Sequence, residues 1–372
     1  MTTVVIKVGS SSVTTEQGAA NTSVLASLSE EIATLKAAGT NVVVVTSGAV
    51  ALGWSAIGKG APRPREIVAL QAASAVGQHR VMEAWQTSLG RFGLIGGQVL
   101  LGSLDFGHRQ QYLHARQTLR QLLDFGVVPI VNENDATSDE EIRFGDNDRL
   151  AALVAQLVDA EHLLLLTDTQ GLFTADPRVV ADASLISVVE EIDEEVLALA
   201  GGTRSQVGSG GMASKVAAAR IGTASGVTVT IAEAERAQVI GDALAGKSVG
   251  TKFVAKEKTL SARKLWIAFA LTSVGTVTVD PGAERALVEQ GRSLLSAGVT
   301  EISGNFDAGD AISVLGRNGL FARGLAAVSS TVALQLMEAK SASREKDQRN
   351  EIIHRDDLVI LFEATEANGK MA

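Results

Sequence analysis

The 372-residue chain contains no cysteine, so disulfides, thiolate nucleophiles and Cys-ligated metals are all excluded. Nothing in it requires an oxidising compartment, and a reducing cytoplasm is the expected setting. Proline is scarce, at 5 residues, and aromatics make up 4%. No apolar run approaches the roughly 18–20 residues of a membrane span, and the first strand-like run, TTVVIKV, is too short for a signal sequence and carries Lys7 within it. The expectation is a protein neither exported nor membrane-embedded. An excess of cations is also missing: 33 Lys+Arg stand against 42 Asp+Glu, a net charge of −9. Such a molecule repels a polyphosphate backbone as a whole, and nucleic acid is not expected as its main partner. From residue 256 onward 14 Lys+Arg meet 15 Asp+Glu, leaving 19 against 27 before it, so the acidity belongs to the first part. HExxH and GxSxG motifs are absent, and the five histidines are dispersed; His108 and His114 have the wrong spacing for a ligand pair on one helix face. There is no Walker A box either. The nearest approach, GWSAIGK at 53–59, is followed by Gly60 where the motif needs Ser or Thr.

What the chain does have is alternation. Short apolar, β-branched runs at 3–8, 41–45, 127–131, 162–166 and 227–231 predict strands. Stretches with apolar residues three and four apart, at 23–38, 65–88, 110–125, 148–160 and 212–223, predict helices between them. Continuous apolar strands alternating with helices predict an α/β fold with a parallel sheet covered on both faces. The 65–88 stretch suits a core element and a subunit interface equally. After Ile231 the texture changes: 232–262 reads as polar and irregular. LWIAFA, GTVTVD, AISVLG and LFARGLAAV then read as strand-like pieces of a β-rich second domain. At roughly 100–200 residues per domain the length fits two, placed at 1–255 and 256–372.

Ligands of parallel sheets bind beyond the carboxyl ends of the strands, which selects five places. In VIKVGSSSV (5–13) a Gly and three Ser follow a strand, offering backbone N–H groups to phosphate oxygens with Lys7 in reach; a plain Gly-Ser turn is the simpler alternative. In VVVVTSGAV (42–50) Ser47 and Gly48 open a helical run, a seat for a carboxylate or phosphate or simply an N-cap. The stretch 127–155 places Asn132, Glu133, Asn134 and Asp135 after one strand and Asp146, Asn147 and Asp148 before a helix. Acceptors for an ammonium and donors for a carboxylate stand there together, a combination that suits an amino acid. Asp168 follows the fourth strand, placed to accept from a ribose or to end a turn. In VGSGGMASKVAAAR (207–220) Gly208, Gly210 and Gly211 lead into a helix carrying Lys215, a close-approach loop for a nucleotide.

In their order, IKVGSSS, VTSGAV, VNENDA, FGDNDRLAA, TDTQGLFTADP and GSGGMASK resemble the amino acid kinase family over residues 1 to about 255. The NEND and GDND pair resembles its glutamate 5-kinase branch most closely, and RKLWIAFA, GNFDAGD and ARGLAAVSS in the tail resemble a PUA domain. The resemblance implies an αβα sandwich with a mostly parallel central sheet plus a small β-rich PUA-like domain. It implies ATP-dependent phosphorylation of the γ-carboxylate of L-glutamate, the first step of proline biosynthesis. Mg²⁺ would be carried by ATP and not by protein side chains, and feedback inhibition by proline and a homo-oligomer are implied too. Lys7 and Lys215 carry over as phosphate-contacting catalytic residues and Asp148 as the carboxylate that positions them. Ser47, Asp135, Asn147 and Asn132 carry over as glutamate contacts. The nucleotide site would comprise Lys7, Gly9, Thr167, Asp168, Ser209, Gly210, Gly211, Met212, Ala213, Ser214 and Lys215. Two other readings remain at this point: a kinase of another acid, such as aspartate or acetylglutamate, and an RNA-binding protein with an inert kinase-like domain.

Overall fold

All six residues of TVVIKV, which form β1 (Thr3–Val8), are buried, as expected of a strand covered on both faces. The computed structural model describes residues 1–137, 147–201, 211–257, 260–338 and 351–361, the side chain of Ser103 excepted. By its contacts the chain divides into two compact units, Met1–Lys258 and Thr259–Ala372.

The first unit holds β1 with β2 (Asn41–Val45), β3 (Gly96–Leu101), β4 (Val128–Glu133), β5 (His162–Thr167), β6 (Val188–Val189), β7 (Thr228–Glu233) and β8 (Gly250–Phe253). They form one eight-stranded sheet in the order β3-β4-β2-β1-β5-β7-β8-β6. Only β7 and β8 pair antiparallel; every other neighbouring pair is parallel. At the centre Ile6 of β1 aligns with Val44 of β2 and Leu164 of β5.

The helices of this unit are α1 (Ser10–Val13), α2 (Thr22–Ala37), α3 (Ala49–Ile57), α4 (Ile67–Gly90), α5 (Ser103–Gly107), α6 (Arg109–Asp124), α7 (Asn147–Leu157), α8 (Glu194–Leu199), α9 (Met212–Ala224) and α10 (Val239–Leu244). Val4, Ile6 and Val8 of β1 share a core with Leu25 and Leu28 of α2, Leu52 of α3, Trp85 of α4 and Ile240 of α10. Side chains alternate along a strand, so Val5 and Lys7 face the opposite layer, where α7 packs on β1. The sheet's own geometry thus delivers a lysine into an interior.

The strand and helix runs read from the sequence between residues 3 and 231 all form, within a few residues at their ends. Three features differ. Residues 232–262 are not irregular throughout: they include α10 and β8, the latter only four residues long with a Gly and a Lys among them. β3 is an edge strand, largely half-buried, so GGQVLL carries no continuous apolar signal. In the second unit LWIAFA is helical, not a strand. It continues α11 (Ala262–Leu265), which Ser261 caps, into a π-helical turn over Trp266–Ala270. A short buried apolar run has no period that separates helix from strand.

The second unit builds its own sheet from β9 (Gly275–Val279), β10 (Leu294–Leu295), β11 (Val299–Ser303), β12 (Ala311–Gly316), β13 (Gly319–Ala326) and β14 (Glu351–Ile360). Their order is β10-β14-β13-β12-β9-β11. Val277, Leu287, Ile312, Phe321 and Ile353 lie in a separate core there. Among the described residues no helix is long and apolar enough to cross a membrane.

The α3–α4 crossing depends on two glycines. A Cβ on Gly53 would stand 1.7 Å from Ala73 O, and one on Gly77 1.7 Å from Ala49 O, backbone positions that cannot yield without separating the helices. Gly53→Ala is expected to destabilise the protein by about 1–3 kcal/mol. Gly90→Ala, whose Cβ would meet only the Gln86 side chain at 3.8 Å, is expected to melt near the parent temperature. Thermal denaturation of both variants checks this, and equal melting would refute the close crossing.

Candidate active site

Lys7 reaches across from β1 to the first turn of α7, where its Nζ lies 2.7 Å from Asp148 Oδ1. Lys215, on the first turns of α9, brings its Nζ to 3.3 Å from Asp148 Oδ2. The three residues are 4%, 3% and 1% exposed in the order Lys7, Lys215 and Asp148, so the cluster is closed off from bulk water. Burial by itself drives the Asp148 carboxyl upward, but the charges of Lys7 and then Lys215 outweigh it and hold the group below the usual carboxylate range. Burial, with repulsion from Lys7, moves Lys215 below the ordinary lysine value despite the attraction of Asp148. Positive charge exceeds negative within the trio, an arrangement able to receive an anion.

Around it stand further donors. Ser214 Oγ lies 2.7 Å from Asp148 Oδ2 and 2.8 Å from Gly211 O, tying the start of α9 to that of α7. Gly211 caps α9 and opens onto clear space: among the described residues nothing lies within 4 Å of where its Cβ would stand. Met212 and Ala213 supply the first N–H groups of α9, which have no intrahelical acceptor. The expectation that Gly9 offers its own N–H to a phosphate needs correction, because that group donates to Leu166 O at 3.1 Å. The available donors pass to Ser10 and Ser11, which open α1. On the neighbouring strand, Thr167 Oγ1 donates to Asp168 Oδ1 at 3.0 Å, and Asp168 adds to the field at Lys215. Ser209 and Gly210, and Asp146 before α7, lie outside the described residues.

A second, neutral cluster begins one residue away. Asn147 Nδ2 stands 2.8 Å from Ser47 Oγ, 3.1 Å from Thr46 O and 3.1 Å from Asn132 Oδ1, joining the ends of β2 and β4 to α7. Gly48 follows Ser47 at φ 96°, a left-handed conformation, with Val13 and Thr14 side-chain carbons 3.1 Å from where a Cβ would stand. That turn starts α3 and aims its free N–H groups at the same strand edge. Asp135, in the short 3₁₀ turn Asp135–Thr137, accepts from Ser74 Oγ at 2.9 Å. Burial raises the Asp135 carboxyl above its ordinary value, with the Ser74 hydroxyl and the Arg63 charge opposing.

The structure therefore brings Lys7, Asp148, Lys215 and Ser214 together, and Ser47, Asn132 and Asn147 together, with consecutive residues of α7 joining the two groups. Sequence reasoning missed Ser74 and Gln78. Both lie on α4, four apart and so on one helix face, and their polarity within a largely apolar buried stripe was the available signal. Among the described residues no group of three or more His, Asp or Glu is placed to hold a metal ion.

The sequence model of the amino acid kinase family matches residues 2–233, and that of the PUA domain matches residues 275–346. The chain belongs to the amino acid kinase family. Membership makes it a phosphotransferase, with the αβα architecture predicted and a strand-rich PUA unit following it in sequence. Among curated relatives, the glutamate 5-kinase of Nitrosomonas eutropha is 45% identical over 363 residues, covering 96% of this chain and 97% of its own. That of Caldanaerobacter subterraneus subsp. tengcongensis is 40% identical over 371 residues, covering 98% and 100%. Among solved structures, carbamate kinase from Giardia lamblia bound to AMP-PNP superposes with a TM-score of 0.50 at 20% identity, covering 68% of this chain and 99% of its own, a likeness of fold.

Because the folded-state pKa of Asp148 lies below its unfolded value, its stabilising contribution is complete above the ordinary carboxylate range and is lost as pH falls through the folded-state pKa. Asp148→Asn leaves two buried ammonium groups uncompensated and is expected to cost on the order of 3 kcal/mol at neutral pH. The gap to the parent protein should close on acidification. Denaturant titrations at several pH values check this; a gap independent of pH would show that charge is not its origin.

Proposed function

We propose that this amino acid kinase transfers the γ-phosphoryl group of ATP to the γ-carboxylate of L-glutamate, giving L-glutamyl 5-phosphate and ADP, the first step of proline biosynthesis. The observation that carries the reading is the abutment at Asn147–Asp148 of a neutral amide pocket and a two-lysine cluster. The glutamate 5-kinases among its relatives, 40–45% identical over nearly the whole chain, support the choice of substrate.

A glutamate side chain has a reference pKa near ~4.3, so the nucleophile is already an anion at neutral pH and no general base is needed. One carboxylate oxygen bonds to the γ-phosphorus, the bond from that phosphorus to the β,γ-bridging oxygen breaks, and the electron pair leaves with ADP. The difficulty is to bring an anion up to a polyanion in line. Lys7 and Lys215 neutralise the approach, with Asp148 holding both ammonium groups in place and the N–H groups of Ser10 and Ser11 adding fixed dipoles. Preorganised donors of this kind are commonly worth roughly 3–4 kcal/mol each. Mg²⁺ enters with ATP as part of the substrate. Asp135 and the Asn147 oxygen accept from the α-ammonium, and the start of α3 with Ser47 receives a carboxylate. Thr167, Asp168 and the 209–215 segment hold the nucleotide. Proline shares the α-nitrogen and α-carboxylate of glutamate, which supports its action as a feedback inhibitor at this seat.

An ATP-consumption assay with glutamate, aspartate and acetylglutamate, with hydroxylamine trapping of the acyl phosphate and with or without proline, tests the reading. Turnover with another acid in place of glutamate would overturn it. Lys215→Ala and Asp148→Asn are expected to lower kcat by roughly 10²-fold or more while the glutamate KM changes little. Asp135→Ala should raise the glutamate KM at least about tenfold and leave that for ATP nearly unchanged. Equal losses for both substrates would remove the assignment of Asp135.

The shift of Lys215 predicts a pH signature. A lysine held below its ordinary pKa loses its charge early, so kcat/KM for ATP, which reports the free enzyme, is expected to fall at alkaline pH before an ordinary lysine would titrate. A bound polyanion favours the charged form and should move the corresponding limb of kcat to higher pH. Coincident limbs in the two profiles would refute the role of Lys215 at the phosphates.

A further inference from the structure

Gln78 is buried on α4, outside every substrate and nucleotide contact assigned above. Its Nε2 donates to Glu133 O at 3.0 Å, and its Oε1 accepts from Asn132 Nδ2 at 3.0 Å. A backbone carbonyl can only accept, so the carboxamide of Gln78 has one orientation. That fixes Asn132 in turn: with Nδ2 committed to Gln78, its Oδ1 takes the Glu133 N–H at 3.0 Å and the Asn147 Nδ2 at 3.1 Å. Asn147 ends the chain, its Nδ2 also 3.1 Å from Thr46 O, a second obligatory acceptor. The group left over is Asn147 Oδ1, buried and without a donor among the described residues. A buried acceptor with no partner is costly, and under the proposed function the substrate's α-ammonium would supply the missing donor.

We propose that Gln78 is a positioning residue for amino-acid recognition: through Asn132, and together with Thr46 O, it holds the amide of Asn147 so that an acceptor, and not a donor, meets the α-ammonium of the substrate. The inference rests on the reading of Asn147 as a glutamate contact. Reversing the Asn147 amide would press its oxygen against Thr46 O and Asn132 Oδ1 and turn an NH₂ group toward an ammonium. The relay therefore selects a ligand that donates at its α position. A dicarboxylate with a carbonyl there, such as 2-oxoglutarate, offers an acceptor to an acceptor and is rejected.

Steady-state kinetics on the full chain test this, with glutamate and ATP as substrates and 2-oxoglutarate as competitive inhibitor. Glutamate-dependent turnover of the unaltered enzyme is measured first; its absence sinks the proposed reaction itself, with no variant involved. Given that turnover, Gln78→Met, similar in length but unable to hold the relay, is expected to raise the glutamate KM about tenfold while kcat and the ATP KM stay within about twofold. The ratio of the 2-oxoglutarate inhibition constant to the glutamate KM should shrink by about the same factor. Gln78→Glu keeps the acceptor for Asn132 but loses the donor to Glu133 O, and should fall between the two; it also reads the ratio if the methionine variant does not fold. An unchanged ratio, or parallel rises in both KM values, would overturn the role, since loosened packing alone moves both substrates and does not discriminate at the α position.

Discussion

A single carboxylate, that of Asp148, is shared by two buried ammonium groups, and the placement of everything around the site follows from that sharing. Three charges withdrawn from water carry a desolvation cost of several kcal/mol per ion, recovered only when attraction and hydrogen bonds are well aligned. Lys7 comes from the central strand, Lys215 and Ser214 from α9, and Asp148 from α7, so the ion cluster joins three elements distant in sequence. Without the carboxylate the lysines would repel each other in a closed space. With it, both are fixed in place, and in the proposed reaction they would need little reorganisation when a second anion arrives.

How much of this was legible can be argued from individual residues. The run TVVIKV announces a buried strand, and Lys7 within it is a charge that must find a partner; its period-2 position already puts it on the face opposite Ile6. Asp148 was readable as a site residue from the Asn and Asp cluster that opens α7. The hydrogen bonds of Gly9 and Ser214 were not, because a glycine's N–H and a serine hydroxyl carry no pattern that reveals whether a strand carbonyl, a carboxylate or a ligand will take them. β3 and β8 went unread for a related reason. An edge strand half open to water, and a four-residue strand containing glycine and lysine, lack the continuous apolar signal that betrays the central strands. Gln78 was hidden in a helix whose apolar period was read as core or interface. The fold writes its hydrophobic layers into the sequence, whereas polar networks that close only in three dimensions leave a weak trace.

For the proposed reaction, Asn147 and Asp148 show how little chain is needed to couple recognition to chemistry. Consecutive helical residues point about 100° apart, so the first turn of α7 sends one side chain toward Ser47 and Asn132 and the next toward the lysines. The two groups share a rigid backbone. In that reaction an amino acid seated against Asn147 would be held at a fixed offset from the cationic pair, with no loop or hinge between them. This is the structural form of the proximity term in catalysis: geometry set before the reaction begins.

The remaining tension is between the whole molecule and its site. At a net charge of −9 the chain repels a nucleotide triphosphate at long range, yet the proposed reaction requires one to bind. Screening resolves the conflict by distance. At physiological ionic strength exposed charges are felt over only about 8 Å, whereas a buried pair is screened far less. The acidic surface therefore contributes little at the end of β1, and the local balance there is set by Lys7 and Lys215 against Asp148, with Asp168 adding to the field at Lys215. In the proposed reaction selectivity gains from the same arrangement: a polyanion would be attracted only where both ammonium groups face it at once, beneath an acidic exterior.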